Sequence, residues 1–160
     1  MLQKNLVNIE QYNAAIELPF SGLAGLGAYT AKANRRDLSL AVEELDTCIK
    51  LCRLVESALS GQPQAARKNF YLFSAWQRIV ADPKDRAEFR DRITALRRSL
   101  EKVLRLVRGE PVEARPTPAE FQKLESELRE IYQRIKQAIP RDAAIASLMG
   151  STRPHLARQS

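Results

Sequence analysis

The sequence predicts an all-α protein, an antiparallel bundle of four long helices with shorter helical pieces at its ends. Apolar residues recur at steps of three and four in four separate stretches, which is the period of an amphipathic helix. No stretch alternates apolar and polar residues as a half-buried strand does. Only 8 prolines and 6 glycines occur in 160 residues, and the prolines cluster at apparent helix boundaries.

A short first helix is predicted over residues 6–18, and Pro19 is expected to end it because proline lacks the N–H that continues a helix. The following segment, 21–34, holds three glycines between Gly22 and Gly27, each costing about 1 kcal/mol of helix propensity relative to alanine. The sequence leaves open whether this segment is a loop or a frayed helix. A phosphate-binding loop is disfavoured, since neither a preceding strand nor a following Lys-Ser/Thr is present. Close helix packing or a turn explains the glycines better.

The second helix is predicted over residues 35–60, because Asn34 and Asp37 are good N-cap residues and Gly61 provides a C-terminal stop. The third is predicted over 64–81. It concentrates aromatic side chains, which contribute strongly to core packing: Phe70, Tyr71, Phe73 and Trp76.

The fourth helix, predicted over 83–108, begins with Asp82 as N-cap and Pro83 at its first position, and Gly109 ends it. Its apolar stripe consists of Phe89, Ile93, Leu96, Leu100, Val103 and Val107. The same helix carries many of the basic residues. It therefore both contributes to the core and presents positive charge.

The fifth helix, predicted over 118–139, opens with a capping box from Thr117 to Glu120. Because helices four and five keep heptad-like spacing, we expect them to pair as an antiparallel hairpin. Residues 141–149 are a candidate short final helix, and residues 151–160 are expected to form a mobile tail. Residues 1–150 are predicted to be one domain.

The cysteines predict a reducing, cytoplasmic location. Cys48 and Cys52 are spaced i, i+4 and could supply half of a zinc site, but His155 is the single histidine and no further cysteine exists. We expect two buried, inert thiols, no metal and no disulfide framework. The N-terminus lacks a signal-peptide pattern, and no apolar run reaches the roughly 20 residues that a membrane span needs.

The positive charge is unevenly distributed. The net charge is +7 from 26 basic and 19 acidic residues, and residues 61–109 hold 12 basic residues against 5 acidic ones. Residues 37–60 are acidic by comparison. A basic face can follow a nucleic-acid backbone, because arginine donates paired hydrogen bonds to phosphate. The candidate phosphate-binding residues are Arg67, Lys68, Arg78, Arg86, Arg90, Arg97, Arg98, Lys102, Arg105 and Arg108.

The sequence therefore predicts a non-enzymatic accessory subunit that binds RNA or DNA backbone, largely independently of sequence, within a larger protein or ribonucleoprotein assembly. An ordinary solvated basic face is the competing explanation for the same residues. With a single histidine, acid–base catalysis is disfavoured, and we expect no cofactor and no small-molecule substrate.

A protein-interaction module without nucleic-acid contact is the alternative function. The acidic second helix and the basic third and fourth helices would then complement each other between subunits. Leu104 and Leu106 lie off the apolar stripe and make the end of the fourth helix apolar nearly all round. They are either buried within the chain or part of an interface with another subunit.

Overall fold

A computed structural model describes residues 9–31, 34–61 and 70–138 of the chain. Within these ranges the protein is built from five helices and contains no β-strand, which confirms the all-α prediction. The helices are α1 (Ile9–Thr30), α2 (Arg35–Leu59), α3 (Phe70–Ile79), α4 (Pro83–Val107) and α5 (Pro118–Ala138). The predicted starts of the first and third helices, the final helix 141–149 and the tail 151–160 lie outside the described residues.

The predicted capping residues set the helix boundaries. The Asn34 side chain accepts the backbone N–H three residues on at 3.0 Å, and Asp82 accepts the N–H two residues on at 2.9 Å. Thr117 caps α5 in the same way at 3.2 Å. Gly61 and Gly109 follow the ends of α2 and α4 with φ of 74° and 78°. This left-handed conformation is the one that glycine provides after a helix end.

The first helix is longer than predicted, and the expected end at residue 18 was wrong. α1 continues through Pro19 to Thr30, so the segment from Gly22 to Gly27 is helical. Proline removes one helical hydrogen bond, but Leu18 and Pro19 are both buried. Tertiary packing of this apolar segment therefore outweighs its poor local helix propensity.

Two glycines of α1 allow its neighbours to approach closely. A Cβ atom on Gly22 would lie 2.8 Å from the Leu128 Cδ1 atom of α5, and one on Gly25 would lie 2.8 Å from the Leu45 Cγ atom of α2. Both distances are shorter than a carbon–carbon contact allows. The glycines thus serve helix packing, as the absence of a phosphate-loop pattern suggested.

The described helices pack as a bundle in which α1 contacts α2, α3 and α5, while α2 contacts α3 and α4. α3 brings the fully buried Trp76 to the core, where its ring centroid lies 5.6 Å from that of Phe89 on α4. The Trp76 indole N–H has no hydrogen-bond partner among the described residues. All but one of the predicted stripe residues of α4 are buried, and Val107 is half-buried.

The predicted hairpin of the fourth and fifth helices is not the main packing relationship of either helix. α4 packs chiefly on α2, and α5 packs chiefly on α1, so the α4 and α5 backbones approach each other at few positions. Their apolar stripes point to the common core rather than only to each other. A seam between the two helices therefore stays open to the surface.

Candidate functional site

Three basic side chains form a line along the outer face of α4. Arg98, Lys102 and Arg105 are spaced four and three residues apart, which places them on one side of the helix. Arg98 and Arg105 are exposed, and Lys102 is half-buried. In the part of the chain that the structure describes, none of the three side chains makes a hydrogen bond or an ion pair. We call these three residues the basic line.

Arg97 has a different environment, although it is adjacent to Arg98 in sequence. Its Nε donates to both carboxylate oxygens of Glu56 on α2, at 2.9 and 3.2 Å, and its Nη1 donates to Glu101. Only 15% of the Arg97 side chain is exposed. The hydrogen bond with Glu56 raises the pKa of Arg97 above its ordinary value. Arg97 therefore joins α4 to α2, and little of its side chain is accessible to a phosphate.

The acidic face of α2 is thus partly neutralised inside one chain. Arg53 of α2 also lies 3.5 Å from Glu101 of α4, so charges of both signs cross this helix pair in both directions. Part of the charge complementarity that the alternative function places between subunits is present within the chain, because α2 and α4 are neighbours in the bundle.

Arg86 binds the C-terminal end of α3. Its Nε donates to the carbonyl of Val80 at 2.8 Å, and Nη2 lies 3.4 Å from the carbonyl of Gln77 and 3.5 Å from that of Ala81. The last carbonyls of a helix lack partners within the helix and carry partial negative charge. Gln77 in turn donates to the carbonyl of Ala58 near the end of α2. These contacts connect the ends of α2 and α3 to the start of α4.

The remaining candidate basic residues fall into three groups. Arg90 is half-buried and contacts Ser60 at 3.4 Å and Asp91 at 3.7 Å. Arg108 is exposed at the C-terminal cap of α4, and the exposed Arg78 takes part in a contact of its own. Arg67 and Lys68 lie outside the described residues.

The sequence did not point to the role of two further arginines. Arg92 pairs with Glu130 of α5 at 3.0 Å, and its guanidinium carbon lies 5.9 Å from the Phe89 ring centroid. Arg134 lies over the same ring at 4.7 Å. Cation–π contacts of this kind depend on which helices become neighbours, and spacing along one helix does not reveal that.

The two leucines that were candidates for a subunit interface differ in burial. Leu104 is buried within the single chain, so it is not available to another subunit, and Leu106 is half-buried. The most exposed large apolar side chain in the described part of the chain is instead Phe20 on α1, at 69% exposure. The run from Leu18 to Ala31 contains no charged residue, a signal that the helix could contact something besides water.

The seam between α4 and α5 contains a groove of about 310 Å³. Its floor is formed by the buried Val103 and Leu124. Lys102 of the basic line also lines this groove, facing Glu120 and Glu127 of α5. A smaller cavity of about 100 Å³ continues along the same seam and shares Glu127 with the first.

The cysteines are buried and unpaired, as expected. The Cys48 thiol donates to the carbonyl of Leu18 at 3.3 Å. A hydrogen bond with Cys48, together with burial, raises the pKa of Cys52 well above its ordinary value. A thiol that stays protonated is a poor nucleophile and a poor metal ligand. In the ranges described above, no group of three or more histidine, cysteine or carboxylate side chains is placed to hold a metal ion.

None of α1 to α5 is both long enough and apolar enough to cross a bilayer. Comparison of the chain with protein-family models, with curated proteins and with solved structures finds no match.

Proposed function

We propose that this protein is a non-enzymatic helical subunit that binds the sugar-phosphate backbone of RNA or DNA within a larger assembly. The observation that supports this proposal is the basic line: Arg98, Lys102 and Arg105 share one helix face, and their side chains form no hydrogen bond or ion pair within the described structure. From Arg98 to Arg105 the helix rises by about 10 Å. The three side chains can therefore bind neighbouring phosphates of one strand.

The proposed interface uses fewer residues than the sequence suggested. The proposal leaves out Arg86 and Arg97, because two nitrogens of each guanidinium already donate to backbone carbonyls or carboxylates of the fold. Arg108 extends the basic line towards the end of α4 and remains part of the proposed interface. Phosphate contacts fix position without reading sequence, so we expect little sequence preference from the line itself.

Fluorescence anisotropy with labelled oligonucleotides tests the proposal. If three phosphates are neutralised on a single strand, affinity falls roughly twentyfold between 50 and 200 mM salt. The triple variant Arg98→Glu, Lys102→Glu, Arg105→Glu abolishes binding and leaves the helical circular-dichroism signal unchanged.

A matched control separates the basic line from net charge. The triple variant Arg35→Glu, Arg36→Glu, Arg129→Glu makes the same change in net charge at exposed positions of α2 and α5. We expect it to retain most of the wild-type affinity. Equal losses in both triple variants would mean that only net charge matters, and unchanged binding in the first would show that another face is used.

Self-association through α1 is a second candidate function, which Phe20 favours. An aromatic side chain that is 69% exposed on an uncharged helical segment is typical of a protein-interaction surface. Light scattering after size exclusion would show an oligomer that persists in 1 M salt and disappears in Phe20→Ser. If Leu106 also belongs to that interface, Leu106→Glu has the same effect. A monomer at all concentrations removes this candidate.

We place the protein in a reducing compartment, the cytoplasm. Buried free thiols at Cys48 and Cys52 are compatible with that location and gain nothing from an oxidising one. Detection of the protein in a fractionated cell extract would test the assignment.

A further inference from the structure

The open seam between α4 and α5 follows from how the two helices are held. The Arg97–Glu56 ion pair attaches α4 to α2, and the close approach at Gly22 attaches α5 to α1. Each helix has its main partner elsewhere. The Arg92–Glu130 ion pair joins α4 and α5 at one end of the seam, whereas no hydrogen bond or ion pair among the described residues joins them along residues 95–103 of α4. The groove that remains, about 310 Å³, falls at the lower end of the size range of small-molecule sites.

The groove combines an apolar floor with hydrogen-bonding groups of both kinds. Val103 and Leu124 provide a floor that favours a flat apolar face. Lys102 of α4 and Lys123 of α5 can donate, while the carboxylates of Glu120 and Glu127 on α5 accept. Glu127 is half-buried and borders the smaller cavity as well, so it lies where the two cavities of the seam adjoin.

Lys102 belongs to both the groove and the basic line. A strand whose phosphates follow Arg98, Lys102 and Arg105 therefore passes along the edge of the groove. An unpaired base can turn out of such a strand, whereas a base inside a duplex remains stacked and paired. The two carboxylates of the lining offset the two lysines, so the groove carries no excess positive charge that would favour a second phosphate.

We propose that this groove holds one unpaired nucleobase that carries an exocyclic amino group, so that the preferred ligand is single-stranded nucleic acid. This inference rests on the proposed function, because the phosphates of the same strand must lie on the basic line. The Glu127 carboxylate accepts a hydrogen bond from the amino group, as acidic side chains do from cytosine N4. Uracil presents a carbonyl oxygen at that position, which a carboxylate repels. Cytosine is therefore preferred to uracil at the groove.

The test compares four labelled probes in the same anisotropy assay: twelve-residue oligo(C), oligo(U), an abasic strand of equal length, and a twelve-base-pair duplex. We expect oligo(C) to bind roughly tenfold more tightly than oligo(U). The abasic strand and the duplex bind more weakly than oligo(C), because they offer phosphates but no free base.

Two variants test whether the base binds in the groove. Ser99→Phe fills the groove from its α4 edge without changing charge, and it lowers oligo(C) affinity to the abasic level while abasic affinity stays constant. Glu127→Gln reduces the preference for oligo(C) over oligo(U), because an amide can donate as well as accept. If Ser99→Phe fails to fold, Ala95→Phe fills the same groove from the next turn of α4.

The outcomes separate the two proposals. Absence of binding to every probe at 50 mM salt overturns the proposed function, and the base site with it. Equal affinity for oligo(C), the abasic strand and the duplex, unaffected by Ser99→Phe, leaves phosphate binding in place and overturns the base site alone.

Discussion

Arg97 of α4 holds both carboxylate oxygens of Glu56 on α2, at 2.9 and 3.2 Å, in an environment where their side chains are 15% and 18% exposed. One donor, Nε–H, is shared between the two oxygens, and Nη1 donates to Glu101. The pair lies along the contact between two of the longest helices of the bundle. Arg97 therefore has a structural role, although it belongs to a very basic helix.

Removal of Arg97 alone is expected to destabilise the fold. Arg97→Ala leaves the partly buried Glu56 carboxylate without its partner, which costs about 2–3 kcal/mol in the free energy of unfolding. Urea denaturation followed by the fluorescence of Trp76, the single tryptophan, measures this loss. Arg98→Ala, one residue on and exposed, is the control and changes stability by less than about 0.5 kcal/mol. Similar stabilities for the two variants would contradict the role assigned to the pair.

Arg86 is expected to stabilise the turn between α3 and α4. Arg86→Ala removes the donors that reach the carbonyls of Val80, Gln77 and Ala81, and we expect a loss of about 1–2 kcal/mol. Lys84→Ala is the control, since Lys84 is exposed in the same first turn of α4. The same urea titration measures the free energy of unfolding of both variants. A loss no larger than that of the control would mean that water replaces the guanidinium at little cost.

The sequence was sufficient to predict the helices and most of their boundaries, because periodicity and capping residues act locally. Asn34, Asp82 and Thr117 fulfil the predicted capping roles. The predicted end of α1 was wrong because it was based on Pro19 and the glycines after it, which disfavour a helix locally. Their local cost is visible in the sequence, whereas the packing against Leu45 and Leu128 that offsets it is not.

The candidate site could be predicted only as a charged helix and not residue by residue. Arg97 and Arg98 are chemically identical neighbours, but successive residues of a helix point about 100° apart. That rotation directs one towards Glu56 and the other to solvent. Which side of α4 faces α2 depends on the packing of the whole bundle. The groove between α4 and α5 likewise results from helix placement rather than from any motif.

Two glycines of α1 are expected to respond in opposite directions to the same substitution. Gly25→Ala places a Cβ 2.8 Å from Leu45 Cγ and 3.1 Å from the Leu45 backbone N, so helices must separate at a cost of about 1–3 kcal/mol. Gly27→Ala meets no atom within 4 Å and raises helix propensity, so it stabilises by about 0.5–1 kcal/mol. Thermal unfolding of both variants measures whether each substitution stabilises or destabilises the fold. Stabilisation by Gly25→Ala would show that α1 and α2 are not in close contact there.

The buried thiol of Cys52 is expected to make stability fall at alkaline pH. Its hydrogen bond with Cys48, with burial, raises the pKa of Cys52 in the folded state, whereas the unfolded chain has the ordinary value of about 8.5. Above that pH the unfolded state releases a proton that the folded state retains, so the free energy of unfolding decreases as pH rises. The contribution is fully present below about pH 8 and decreases by roughly 1 kcal/mol by pH 9.5. Urea titrations at both pH values, on wild type and on Cys52→Ala, isolate this contribution, because the variant lacks the titrating group. Equal pH dependence in the two proteins would show that the Cys52 thiol ionises in the folded state as readily as in the unfolded one.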